Sequence, residues 1–377
     1  MASPVPSVPQ RHGTAGGDAQ STQAASIAVL VEQHWYDAAA AALDRSLAAR
    51  PESEAPPELV AARRFAVAAR RVLDLDAQDF ASIAGQFNAP WSGRLTGASF
   101  PREPHDDERG ALGSLVALYE LMLEVISLRA ARDEPMQVVV TAHMMAEFLA
   151  QLAWESTLGH AGDPLQLGNF VGGSRWGTDD PECPHTSAAR STAKRALNAV
   201  DGDVAGFKAY LERFHSRQGD ALAVCALHHE TEEHGTRPEV GESCPNPCHF
   251  MTNQPLERRR DLDARVRLAL LYLNSPIVAL RHRAPVGHFF AVPSTREVAV
   301  AWAHTWEKVN APWPDGDNPL KVDQKGVPAS GDEALPGMSM LVSAVAGRPI
   351  SAGRVIRDIG ADIQRALAAG PPPEGEE

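Results

Sequence analysis

The sequence has few cysteines, few aromatic residues and no long apolar run. Four cysteines among 377 residues are too few for a disulfide scaffold, and they fit a reducing compartment, so we expect a cytoplasmic protein. No run of about 18 apolar residues occurs, so we expect no membrane-spanning helix. Met1 to Gln23 is rich in Pro, Gly and Ser and has no apolar segment. We therefore expect no signal peptide.

Positive charge is scarce as well. The chain has 35 Lys and Arg against 48 Asp and Glu, which gives a formal net charge of −13. Proteins that bind nucleic acid need a basic face, so we expect no nucleic-acid partner. The same shortage argues against docking on an anionic membrane surface. With 44% hydrophobic residues, the chain can bury a sizeable core without disulfides or metals.

Apolar residues recur at helical spacing, and alternating strand patterns are nearly absent. We therefore predict an all-α fold, a single multi-helix domain of about ten helices with long loops. The domain would span residues 25–369, between a disordered tail, 1–24, and an acidic tail, 370–377. The predicted helices are 25–50, 58–75 with a short helix to about residue 87, 112–132, 136–158, 186–200, 204–217, 219–227, 258–280, 295–309 and 351–369.

Three segments rich in Pro, Gly and Asp separate these helices. They are predicted as loops and cover residues 89–107, 159–185 and 311–336. A loop as long as 159–185 inside a domain is usually functional or mobile.

One window concentrates potential metal ligands. Residues 225–249 read CALHHETEEHGTRPEVGESCPNPCH and hold three of the four cysteines and four histidines. Imidazole, thiolate and carboxylate are ligands for transition metals and haem. His229 and His234 are five residues apart, which does not match the zincin spacing. A zinc site built from Cys244, Cys248 and either His249 or His234, a haem ligand, and a solvated acidic loop all remain open.

The end of this window has one residue too many for a c-type haem motif. Cys244-Pro-Asn-Pro-Cys248-His249 has three residues between its cysteines, whereas the motif Cys-x-x-Cys-His has two, so it does not match the pattern for covalent attachment. His249 can act as a plain axial ligand without the cysteines.

A second segment combines arginines with a histidine after a proline. It reads Leu280-Arg-His-Arg-Ala-Pro-Val-Gly-His288-Phe-Phe. Arg281 and Arg283 can pair with haem propionates, and His288 can ligate iron. The alternative is an ordinary helix end, where basic side chains are favoured by the helix dipole.

A third segment places polar residues on one face of a predicted helix. His143, Glu147, Gln151 and Trp154 follow at i, i+4, i+8 and i+11. A buried His143–Glu147 pair can serve as a general base or as a substrate clamp. The alternative is a stripe exposed to solvent.

Together these segments resemble the haem-dependent aromatic oxygenases, the superfamily built around tryptophan 2,3-dioxygenase. His143-Met-Met-Ala-Glu147-Phe is similar to the family's distal His-Gln-x-x-Glu-Leu helix, with Met144 in place of the Gln. Arg281 to His288, with Pro285 three residues before the histidine, is similar to the segment that provides the proximal ligand in indoleamine dioxygenases.

The separation of two histidines carries a further likeness. His249 and His288 have 38 residues between them (288 − 249 − 1). This interval resembles the bis-histidine haem motif of the 3-methyl-L-tyrosine hydroxylases of saframycin-type biosynthesis. Val292 stands where that motif has its final cysteine, so a thioether here would need Cys244 or Cys248.

The resemblance implies a haem-dependent oxygenase or peroxygenase of secondary metabolism, such as antibiotic biosynthesis, with a tryptophan 2,3-dioxygenase-like fold. It implies haem b, attached covalently if a thioether forms, with His288 as proximal and His249 as sixth ligand. Arg281 and Arg283 would bind the cofactor, while His143 and Glu147 would be catalytic. The substrate would be a tyrosine-type or other aromatic amino acid, and the oxidant hydrogen peroxide or O2.

Relatives of this kind are often oligomeric, so a homo-oligomer is a further expectation. Two other classes remain open. One is a non-haem metalloprotein with a Cys/His zinc site, and the other is a helical binding protein without a catalytic metal.

Overall fold

The computed structural model describes residues 15–166, 204–211, 253–281, 291–314, 317–320 and 333–369. Within these ranges the chain forms helices and no strand, which confirms the all-α prediction. None of these helices is long and apolar enough to cross a membrane.

Fourteen α-helices occur in the described residues, together with two short 3-10 helices at Glu52–Glu54 and Ala77–Asp79. The α-helices are α1 (Ala15–Glu32), α2 (Tyr36–Ala48), α3 (Pro57–Leu73), α4 (Phe80–Ala84), α5 (Ser92–Gly97), α6 (Gly110–Gly113), α7 (Val116–Ala131), α8 (Pro135–Leu158), α9 (Val204–Ala209), α10 (Leu256–Leu273), α11 (Pro276–Leu280), α12 (Thr295–Val309), α13 (Met338–Ala346) and α14 (Val355–Ala368).

The chain divides into two compact units. The first comprises residues 1–74 and 356–377, in which α2 packs against both α1 and α3. Helix α14 buries Ile356, Ile359 and Ile363 completely, at the spacing of one helical face. The Tyr36 hydroxyl donates a hydrogen bond to the Ile356 carbonyl at 3.4 Å, so it ties the start of α14 to the start of α2.

The first unit differs from the prediction in two places. Helix α1 begins at Ala15, within the stretch 1–24 for which we expected disorder. The single predicted helix 25–50 is also divided, because His34 takes a left-handed conformation with φ of 61°. A non-glycine residue in this region does not continue a right-handed helix.

Helix α8 is the centre of the second unit, residues 75–355. It packs against α7, α10, α11, α12 and α13. Its 24 residues make it about 36 Å long. Pro135 occupies the first turn, where its missing N–H costs nothing, and Gly159 ends the helix with φ of 79°. A helix surrounded in this way is apolar on most sides, so its polar residues stand out as site candidates.

Two further interruptions divide helices that were predicted as continuous. The predicted helix 258–280 divides at Ser275, whose ψ of 162° is extended because Pro276 follows. Ser114, with φ −156° and ψ 128°, separates α6 from α7 inside the predicted helix 112–132. A local steric rule predicts the first interruption, whereas no residue near Ser114 forces the second.

Candidate functional site

His143 and Glu147 lie one turn apart on α8 and contact each other. The His143 Nε2 atom is 3.1 Å from Glu147 Oε1, and the side chains are 11% and 34% exposed. The imidazole is therefore largely buried, while the carboxylate still reaches solvent.

Arg281 brings a third charged group to this pair. It is the residue that follows α11, and its Nη1 contacts Nε2 of His143 across 138 positions of sequence. Helix α11 packs directly against α8, which holds the two side chains together. The helix that carries His143 and the start of the segment 281–288, found separately in the sequence, therefore meet at one place.

The Nε2 atom of His143 contacts two charged partners. A guanidinium N–H can only donate, so Nε2 accepts from Arg281, which places a ring proton on Nδ1. The Glu147 carboxylate oxygen lies 3.1 Å from the same nitrogen. One nitrogen therefore lies beside both a cation and an anion.

Three of the four residues in the polar stripe of α8 are buried, and Glu147 is partly exposed. His143 is 8% exposed, and Gln151 and Trp154 are each 1% exposed. Burying polar side chains costs free energy unless they are hydrogen-bonded. Their burial therefore favours the site interpretation of the stripe over the solvent interpretation.

Two tyrosines fix the turn of α8 that carries His143. Tyr272 on α10 donates its hydroxyl to the Ala142 carbonyl at 2.8 Å, and Tyr119 on α7 donates to the Met145 carbonyl at 2.6 Å. Both rings are almost completely buried. Burial raises the pKa of each phenol, and for Tyr119 the neighbouring Tyr272 adds to the effect. Both hydroxyls therefore stay protonated and hold α8 between its neighbours.

The remaining predicted site residues lie outside the described residues. These are Arg283, His288, His249, Cys244 and Cys248. Within the described part of the chain, no group of three or more His, Cys, Asp or Glu side chains could hold a metal ion.

The structure reveals a second polar cluster that the sequence analysis missed. The Arg109 guanidinium donates two hydrogen bonds to the Asp163 carboxylate. Nη2 lies 2.6 Å from Oδ1, and Nε lies 3.1 Å from Oδ2. Asp163 is 1% exposed and also accepts from the Leu165 backbone N–H at 3.1 Å. Such a two-point guanidinium–carboxylate pair is rigid and directional.

His160 belongs to the same cluster. Its Nδ1 accepts a hydrogen bond from the Asp163 backbone N–H at 2.9 Å, and the residue is 1% exposed. Burial lowers the pKa of His160, although Asp163 and Glu155 oppose this effect. The imidazole is therefore neutral at pH 7, with its proton on Nε2. The sequence Gly159-His160-Ala161-Gly162-Asp163 could have indicated a polar site. Its partner Arg109 lies 54 positions from Asp163, so sequence spacing does not connect the two.

Acid should destabilise the protein through His160. The unfolded chain binds a proton near the ordinary pKa of 6.5 and the folded chain only at lower pH. The free energy of unfolding should therefore fall as pH drops below about 6.5, by at most about 1.4 kcal/mol per pH unit for this one proton. Urea unfolding at a series of pH values measures this slope.

His160→Asn is the matched variant, because the asparagine Oδ1 can still accept from the Asp163 N–H without titrating. The variant should show a shallower loss of stability in acid. An equal slope in both proteins would contradict the assignment of the acid sensitivity to His160.

No protein-family model, no curated protein and no solved structure matches this chain.

Proposed function

We propose that this protein is a haem-dependent oxygenase or peroxygenase that hydroxylates an aromatic amino acid of the tyrosine type, with a tryptophan 2,3-dioxygenase-like fold. The observation that carries the proposal is the contact between Arg281 and His143. Two segments that separately resemble parts of a haem oxygenase site contribute side chains to one polar cluster on the central helix.

The described residues suit the polar edge of such a site. A porphyrin and an amino acid both carry carboxylates, and a guanidinium is the preferred partner for a carboxylate. Arg281 presents this group beside a buried imidazole. In this proposal iron ligation depends on His288 and His249, and Arg283 is a second partner for propionates.

When bound, haem b would supply the oxidation chemistry, with hydrogen peroxide or O2 as the oxidant. With peroxide, one oxygen atom enters a ring C–H bond of the substrate, and the other leaves as water.

His143 would act as the base for the substrate phenol. In the resting arrangement its Nε2 is engaged by Arg281. When Arg281 pairs with a haem propionate, it would release Nε2 to accept the phenol proton. The imidazolium that forms would then be stabilised by the Glu147 carboxylate at 3.1 Å. Cofactor binding and base activation would therefore be linked through Arg281.

The reaction can be tested directly. Haem-loaded protein incubated with L-tyrosine or a ring-methylated tyrosine, together with hydrogen peroxide or O2 and a reductant, should yield a product heavier by one oxygen atom. Mass spectrometry detects this product, and free haemin at the same concentration is the control. Absence of the product with every combination of substrate and oxidant would refute the proposed activity.

A further inference from the structure

A cleft of about 810 Å³ lies between α10 and the C-terminal end of α13. This volume is within the range of small-molecule sites. Among the residues that the structure describes, five charged side chains line the cleft: Glu257, Arg260, Asp261, Arg265 and Asp317. The other described residues of the wall are Leu256, Ala264, Pro319, Ala344 and Gly347. The cleft therefore offers both signs of charge beside a shallow apolar surface.

Arg265 lines one side of the cleft, but its guanidinium is already bound to other groups of the protein. Its side chain is 5% exposed and forms an ion pair with Asp261 at 2.8 Å. Its Nη1 also donates to the Ala153 carbonyl at 3.2 Å and to the Ala346 carbonyl at 3.3 Å, at the end of α13. This guanidinium holds α8, α10 and α13 together, so Arg265 and Asp261 neutralise each other as part of the wall.

Arg260 and Glu257 remain available for a ligand. Both are exposed on α10, both line the cleft, and neither pairs with another side chain in the described part of the chain. They stand at i and i+3, which places their Cβ atoms about 5–6 Å apart on one helix face. The cleft thus presents one cation and one anion side by side.

This arrangement favours a ligand that carries both a positive and a negative charge. A simple anion would be repelled by the carboxylates of Glu257 and Asp317, whereas a simple cation would be repelled by the guanidinium of Arg260. A molecule with a carboxylate and an ammonium group on the same carbon satisfies Arg260 and Glu257 together.

We infer that this cleft binds the zwitterionic head of a free amino acid, with its carboxylate on Arg260, its ammonium group on Glu257 and its side chain against Ala264 and Ala344. The cleft is separate from the His143 cluster, and the inference does not depend on the proposed oxygenase activity.

Isothermal titration of the full-length protein with L-phenylalanine tests the inference. Saturable binding is expected. L-phenylalaninamide, which lacks the carboxylate, and N-acetyl-L-phenylalanine, which lacks the ammonium group, should each bind at least about tenfold more weakly, because each loses one charge-assisted hydrogen bond.

Four variants locate the site. Arg260→Ala and Glu257→Gln should each weaken binding of L-phenylalanine at least about tenfold, since both residues are exposed and the fold does not depend on them. Arg258→Ala, on the same helix but outside the cleft, should bind as the unmodified protein does. His143→Ala should also leave this binding unchanged, which separates the cleft from the proposed catalytic base.

Three outcomes would overturn the inference. They are the absence of saturable binding to the unmodified protein, equal binding of the amide and the free amino acid, and unchanged binding in both Arg260→Ala and Glu257→Gln. If only His143→Ala loses binding, the amino acid binds at the cluster of His143, Glu147 and Arg281. That result would also refute binding in the cleft.

Discussion

His143→Ala should lower the rate of substrate hydroxylation about 100- to 10,000-fold, which is the usual contribution of a general base. The proposed phenol base is lost, and Arg281 loses the nitrogen that it contacts. Haem retention should stay unchanged, because the proposed iron ligands lie on other segments. Single-turnover rates on haem-loaded protein measure the effect, and the absorption spectrum verifies the loading.

His304→Ala is the matched control for this variant. His304 is an exposed histidine on α12, in the same unit but outside the cluster of His143, Glu147 and Arg281. Its replacement should leave turnover at the level of the unmodified protein. If His143→Ala turns over as fast as this control, His143 is not the base.

Asp163→Ala should reduce the free energy of unfolding by about 3–5 kcal/mol, which is typical when one partner of a buried ion pair is removed. Asp163 is 2% and Arg109 16% exposed at the side chain, so the guanidinium would lose its counter-charge in a poorly solvated place. The Leu165 N–H would lose its acceptor as well. Chemical denaturation monitored by circular dichroism gives the difference.

The exposed pair of Arg63 and Asp44 supplies the comparison. Its atoms are 2.7 Å apart, similar to the buried pair, but its side chains are 44% and 52% exposed. Asp44→Ala should therefore cost no more than about 1 kcal/mol. Similar losses in the two variants would show that burial does not set the strength of the Arg109–Asp163 pair.

Regular helices were predictable wherever periodicity and end signals agreed. The prediction 295–309 coincides with α12, where Ser294 and Glu297 form a reciprocal capping box. The prediction 136–158 differs from α8 by one residue, because Pro135 and Gly159 mark its two ends. These signals are local, so they can be identified in the sequence without knowledge of the tertiary fold.

Other elements depend on interactions that no local pattern reveals. Helix α5 lies inside the stretch 89–107 that we predicted as a loop. Its Leu95 is completely buried, and the helix packs against α4 and α7. Tertiary packing stabilises this short helix despite the prolines and glycines around it.

The candidate site was predictable in its parts but not as a cluster. The spacing of His143 and Glu147 on one helix face indicated that they would contact each other. In the structure, His143 Nε2 lies 3.1 Å from Glu147 Oε1. The contact with Arg281 required the packing of α11 on α8, and Arg109 with Asp163 required the approach of two distant loops. Sequence spacing reports neighbours within a helix, whereas pairs between elements depend on the tertiary fold.

We propose that this helical protein holds a haem through His288 and His249, with the cluster of His143, Glu147 and Arg281 at its polar edge. The most direct test is the absorption spectrum of the purified protein after reconstitution with haemin, compared with the spectra of His288→Ala and His249→Ala. We expect a strong Soret band for the unmodified protein, its loss or severe weakening in His288→Ala, and a retained band with a changed spin state in His249→Ala. A protein that binds no haemin, or an unchanged spectrum in His288→Ala, would refute haem binding through these histidines.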